Sequence, residues 1–179
     1  MAISLPTHAK AVIIGGGVIG TSVAYHLTKL GWTDVVLLER RQLTCGTTWH
    51  AAGLIAQLRA TQNMTRLAKY SQELYYSLEE ETGVATGFKR NGSITVALTD
   101  ERMEELRRSA AMARAFGVEI NEITTSEILN LYPGLKVDDA VGGVHLPKDG
   151  QGDPVNITQA LAKGARNGGA KIIEGVKVT

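Results

Sequence analysis

Hydrophobic and polar positions switch between two periods along this chain. Ala11-Val12-Ile13-Ile14 is apolar throughout and predicts a strand buried on both faces. A glycine-rich stretch, Gly15 to Gly20, separates it from Thr21–Leu30. There Val23, Leu27 and Leu30 share one helical face, and Gly31 supplies a stop. Val35-Val36-Leu37-Leu38 repeats the buried-strand pattern and ends at Glu39. Residues 41–62 keep neither period, which predicts a long functional loop with a short helix after Ala51. The helical period returns over Asn63–Glu81, with Leu67, Tyr70, Leu74 and Leu78 as its apolar stripe. Ser93–Leu98 alternates, placing Ile94, Val96 and Leu98 on one face of a strand. Thr99 predicts the cap of a helix to Phe116, with Asp100 and Glu101 in its first turn and Gly117 beyond its end. Thr124 and Glu127 have capping-box spacing for a short helix that stops before Pro133. Gly143–Leu146 predicts a strand. Asp153 and Pro154 predict the cap and first residue of a helix to about Arg166, and Lys171–Val178 a final strand.

The order of elements predicts an α/β fold: a Rossmann-like βαβ unit over 9–45, a mixed α+β insertion over 46–150, and a return helix and strand over 151–179. The last strand has no later partner, and a doubly wound sheet needs more strands than these. The chain is therefore expected to be the N-terminal piece of a longer protein, poorly stable and inactive by itself.

Composition narrows the classes. The 179 residues carry 19 basic and 18 acidic side chains, a balance that gives no support for a nucleic acid partner. One cysteine, Cys45, excludes an internal disulfide and a cysteine-based zinc site, and reads as a small buried filler in a reducing compartment. No apolar run approaches the roughly 20 residues of a membrane span. The first strand begins near Ala9, leaving no room for a signal or transit sequence, so a cytoplasmic location is expected, or the mitochondrial matrix in a eukaryote.

Two sites could carry chemistry. In Gly15-x-Gly17-x-x-Gly20 the first glycine allows a tight turn, the second a close approach to a pyrophosphate, and the third close helix–strand packing. The helix that follows offers free N–H groups to phosphates. Glu39 comes about twenty residues later, at the end of the second strand, where a carboxylate can accept ribose hydroxyls and would repel a 2′-phosphate. These features predict a dinucleotide site for NAD or FAD. The second site is His50 within Gly46-Thr47-Thr48-Trp49-His50-Ala51-Ala52-Gly53-Leu54. A neutral imidazole is a competent nucleophile, and small residues around it leave space for a flat flavin ring. On spacing alone an ordinary loop histidine is the simpler reading. No second ligand-type residue stands three or four positions away, so no metal is expected. His26, His145 and the tyrosines at 70, 75 and 76 read as packing residues, and Asp149-Gly150-Gln151-Gly152 as a turn.

From Ala11 to Thr179 the chain resembles the FAD-dependent oxidoreductases of the D-amino acid oxidase superfamily, most of all the dimethylglycine and sarcosine dehydrogenases. The resemblance rests on Val12-Ile13-Ile14-Gly15-Gly16-Gly17-Val18-Ile19-Gly20, Ala24-Tyr25-His26-Leu27, Val35-Val36-Leu37-Leu38-Glu39 and Leu78-Glu79-Glu80-Glu81-Thr82-Gly83. It extends to Asn91-Gly92-Ser93-Ile94 and Asp149-Gly150 with Asp153-Pro154, and is most specific in Thr48-Trp49-His50-Ala51-Ala52-Gly53-Leu54. It implies FAD held covalently by His50, with Val18 and Ile19 at the phosphates and Glu39 and Arg40 at the adenosine ribose. Gly46 to Leu54 would wrap the flavin, and Val178 would touch the adenine through its backbone. The implied substrate is an N-methyl amino acid such as sarcosine or dimethylglycine, losing hydride to the flavin. Its electron acceptor stays open. Catalytic residues and a folate-binding region, the one place tetrahydrofolate would bind, are implied beyond Thr179. The pyruvate dehydrogenase phosphatase regulatory subunit resembles the same region but lacks the Trp-His pair that this chain keeps at Trp49-His50, which favours the enzyme and leaves an inactive regulatory flavoprotein as the alternative.

Overall fold

A computed structural model describes residues 5–179. In chain order its elements are β1 (Ala11–Ile14), α1 (Val18–Lys29), β2 (Val35–Glu39), β3 (Leu54–Ile55), α2 (Gln62–Thr82), β4 (Ser93–Ala97) and α3 (Asp100–Ala115). There follow β5 (Asn121–Ile123), α4 (Thr125–Leu131), β6 (Gly142–Leu146), β7 (Gly150–Gln151), α5 (Pro154–Asn167) and β8 (Lys171–Glu174). The chain divides into two compact units, one of residues 1–53, 74–88 and 152–179, the other of 54–73 and 89–151.

In the first unit β1, β2 and β8 form a parallel sheet with β2 in the middle. Val35, Val36 and Leu37 are buried, as a strand with helices over it requires. α1 and α5 pack together closely because α5 turns Gly164 toward the ring of Tyr25 and Gly168 ends it against Thr28. Asp153 caps α5, its carboxylate accepting from the N–H groups of Val155 at 2.8 Å and Asn156 at 3.0 Å. Tyr25 donates to Glu81 at 2.7 Å, and Lys29 pairs with the same carboxylate.

α1 starts at Val18 rather than Thr21, because Gly17 serves as its cap. Its buried residues are Thr21, Ala24 and Tyr25, while Val23 and Leu30 are exposed. Small and hydroxyl side chains let α5 come near, and the larger aliphatic ones point elsewhere. β8 stops at Glu174, since Gly175 takes a φ of 77°, and the N–H of Val176 then bonds the carbonyl of Glu39 at 2.9 Å. Instead of a helix after Ala51, the loop makes a 3-10 turn at Thr48–His50 and then enters β3.

In the second unit β4, β6 and β5 form an antiparallel sheet. α3 covers one face through Met103, Leu106, Ala110 and Ala113, and α4 covers the other through Ile128, against Ile94 and Val96. The caps at Thr99 and Thr124 form as predicted, the second as a full capping box. β5 and β7 were not expected: Asn-Glu-Ile is too short and polar to show a period, and Gly-Gln reads as turn. The expected α2 stripe holds only in part. Leu78 is buried as expected, but Leu67 and Tyr70 are exposed, and Thr65, Gln72 and Thr82 are buried as well. The buried amide of Gln72 accepts from Gln57 at 2.6 Å, and Asp149 accepts from the Gln57 N–H at 2.9 Å and the Ser93 hydroxyl at 2.7 Å. A polar network therefore sets this face of the helix.

Candidate active site: a cleft at the C-terminal edge of the parallel sheet

The cleft lies where β1 gives way to α1. Gly15 adopts a φ of 110° and donates its N–H to the carbonyl of Leu38 at 2.8 Å, which folds the turn against β2. A Cβ on Gly20 would overlap the Gly15 carbonyl oxygen, so the third glycine is what lets α1 start this near the strand. Gly17 supplies no side-chain cap to α1. Thr48, from the following loop, accepts the N–H of Val18 on its hydroxyl at 3.1 Å and thereby joins that loop to the helix start. Thr21 N–H returns to the Gly17 carbonyl at 3.0 Å, and among the described residues the N–H groups of Ile19 and Gly20 keep no acceptor.

Glu39 ends β2 and is buried. Its carboxylate accepts the Gly16 N–H at 2.7 Å, the Arg41 N–H at 2.9 Å and the Cys45 thiol at 3.6 Å. Burial pushes its pKa up. The hydrogen bonds from Gly16, Arg41 and Cys45 and the charge of Arg40 outweigh that and hold it below the usual carboxylate range.

These groups enclose a cleft of about 570 Å³. Of the residues singled out in the sequence, Gly15, Gly17, Val18, Ile19, Gly20, Glu39, Arg40, Gly46, Thr47, Thr48 and Ala51 line it. Val178 lines an adjoining groove of about 250 Å³ with Glu39, Arg40 and Val176. Trp49, His50, Ala52, Gly53 and Leu54 line neither. Trp49 is 56% exposed and its ring lies 3.8 Å from that of His50, tilted by 33°. Gly53 has a structural reason of its own: a Cβ there would overlap the Gly152 carbonyl oxygen. Cys45, expected to be a buried filler, is half-buried and belongs to the cleft wall. Ile14 and Val23 also line the cleft. Their apolar side chains are indistinguishable in sequence from core positions.

FAD fits this donor set. Two helix N–H groups without acceptors suit a diphosphate, a buried carboxylate kept ionised suits ribose hydroxyls, and a Cβ at Gly17 would lie 2.9 Å from the Thr48 hydroxyl and crowd the approach. Among the described residues no group of three or more His, Cys, Asp or Glu could hold a metal ion. None of their helices is long and apolar enough to cross a membrane.

The human mitochondrial sarcosine dehydrogenase is 42% identical over 176 residues, 98% of this chain and 19% of that protein. The mouse mitochondrial pyruvate dehydrogenase phosphatase regulatory subunit is 40% identical over 176 residues, again 98% of this chain and 20% of its own length. The chain thus spans about a fifth of these relatives. The crystal structure of L-proline dehydrogenase from P. horikoshii superposes with a TM-score of 0.91 at 31% identity, covering 98% of this chain and 46% of that one. Residues 10–179 match the FAD dependent oxidoreductase (DAO) family, and the chain belongs to it.

Proposed function

We propose that this chain is the dinucleotide-holding part of an FAD-dependent oxidoreductase that oxidises an N-methyl amino acid of the sarcosine or dimethylglycine type, with the flavin tethered through His50. The observation that carries the reading is the pairing of free helix N–H groups at Ile19 and Gly20 with an ionised, buried Glu39 in one cleft. The free N–H groups of Ile19 and Gly20 bind the pyrophosphate at the positive end of α1, with Val18 beside it. Glu39 takes the adenosine ribose beside Arg40, and the backbone at Val178 borders the adenine. Thr48, bonded to Val18, fixes where the loop Gly46–Leu54 leaves the cleft toward the flavin. His50 stands at its surface with Trp49 as its ring neighbour, and its imidazole nitrogen is the attachment point. When bound, FAD supplies a two-electron hydride acceptor for a C–H of the N-methyl group. The protein's part here is to bind, orient and anchor. The compartment proposed is the cytoplasm, or the mitochondrial matrix in a eukaryote.

A second reading, a regulatory protein that keeps the fold and the nucleotide, is favoured by the 40% identity to the mouse regulatory subunit. Anaerobic mixing separates the two. Sarcosine or dimethylglycine should bleach the flavin absorbance of the full-length protein. Unchanged absorbance with a panel of N-methyl amino acids would support the regulatory reading.

A further inference from the structure

We propose that Cys45 is a positioning residue for Glu39 and limits how many ribose hydroxyls that carboxylate can hold. This rests on the dinucleotide reading of the cleft. An ionised carboxylate offers about four lone-pair positions, two on each oxygen. Oε2 of Glu39 takes the Gly16 N–H. Oε1 takes both the Arg41 N–H at 2.9 Å and the Cys45 thiol at 3.6 Å. Three positions are therefore filled and one, on Oε2, is open. A vicinal diol that binds through both hydroxyls needs two, and the second becomes available only when the thiol turns away.

The backbone holds the thiol there. Thr44 is the only non-glycine among the described residues with positive φ, at 71°, an unusual conformation for a β-branched side chain. It is kept by its N–H to the Gly16 carbonyl at 3.0 Å, by the Leu43 N–H to the Glu174 carboxylate, and by the Cys45 N–H to the Gln42 carbonyl at 3.3 Å. Bonds on both sides of the strained residue thus aim the Cys45 side chain at Glu39, in the wall of the same cleft. A thiol is a weak donor, so it yields to a ribose hydroxyl at some cost in affinity. A serine hydroxyl would compete better, and an alanine would not compete.

The test uses the full-length protein carrying His50→Ala, so that nucleotide exchange is reversible, titrated with ADP and with 2′,3′-dideoxy-ADP. Cys45→Ala should bind ADP about threefold to tenfold more tightly than the parent, the scale of one net hydrogen bond. Cys45→Ser should bind ADP no more tightly than the parent, and the dideoxy compound should show neither difference. ADP should also slow alkylation of Cys45 by iodoacetamide, read on the tryptic peptide Gln42–Arg59. Equal ADP affinity in all three proteins, an equal gain with the dideoxy compound, or alkylation unaffected by saturating ADP would overturn the proposal. Glu39→Gln separates this from the underlying reading. If it weakens ADP binding while the Cys45 variants behave alike, only the role of the thiol fails. If no form binds ADP, the nucleotide reading fails with it.

Discussion

At Glu39 burial and hydrogen bonding act in opposite directions on one carboxyl, and the hydrogen bonds win. Its folded pKa lies below the ordinary value of 4.5, so the unfolded chain takes up the proton first as pH falls. The stability it contributes is present above 4.5 and is lost as the pH falls through the lower folded value. Glu39→Gln should flatten the acid limb of stability against pH in urea unfolding between roughly pH 6 and 3, and an unaltered limb would show that another carboxyl governs it. Glu39→Ala should weaken FAD binding by about 1–3 kcal/mol in the His50→Ala background. The place of Glu39 in the cleft was legible in the sequence, because it ends a strand that follows the glycine turn. The part of Cys45 was not, because the thiol reaches Glu39 only through the positive φ of Thr44, which nothing in Leu-Thr-Cys announces.

Among the elements, β1, β2 and their joining turn read directly, since apolar runs between glycines have one good solution. The burial on both faces expected of β1 did not hold: β2 is the central strand and is buried, whereas β1 lies at the sheet edge with Val12 and Ile14 exposed. The caps at Thr99, Thr124 and Asp153 did too, because capping is local chemistry. α2 showed its extent and the buried Leu78, while α1 showed neither its start nor its buried face. In α2 a network of buried amides and hydroxyls took the place of Leu67 and Tyr70. In α1 close approach to α5 selected small residues, and that contact gives a test. A Cβ on Gly164 would lie 2.7 Å from ring carbons of Tyr25, which is 2% exposed. Alanine there favours the helix by up to about 1 kcal/mol, whereas overpacking a filled core costs about 1–3 kcal/mol. Gly164→Ala should therefore destabilise by about 1–2 kcal/mol in urea unfolding. A gain in stability would mean that the tyrosine ring moves aside freely.

On the scale of the whole molecule, the two units divide the work unequally. Every residue that lines the cleft belongs to the first unit, a unit assembled from three parts of the sequence. The α/β class and the return of β8 to the first unit follow from the pattern of apolar runs, but the strand order β1-β2-β8 does not, and the antiparallel sheet of the second unit was only half visible, through β4 and β6. Val12 and Ile14 of β1 remain 56% and 68% exposed among the described residues. If the cleft holds FAD tethered by His50, acid precipitation of the full-length protein should leave the yellow colour in the pellet, the tryptic peptide Gln42–Arg59 should gain the mass of FAD, and His50→Ala should lose both. Flavin recovered entirely in the supernatant from the unaltered protein would contradict the tether.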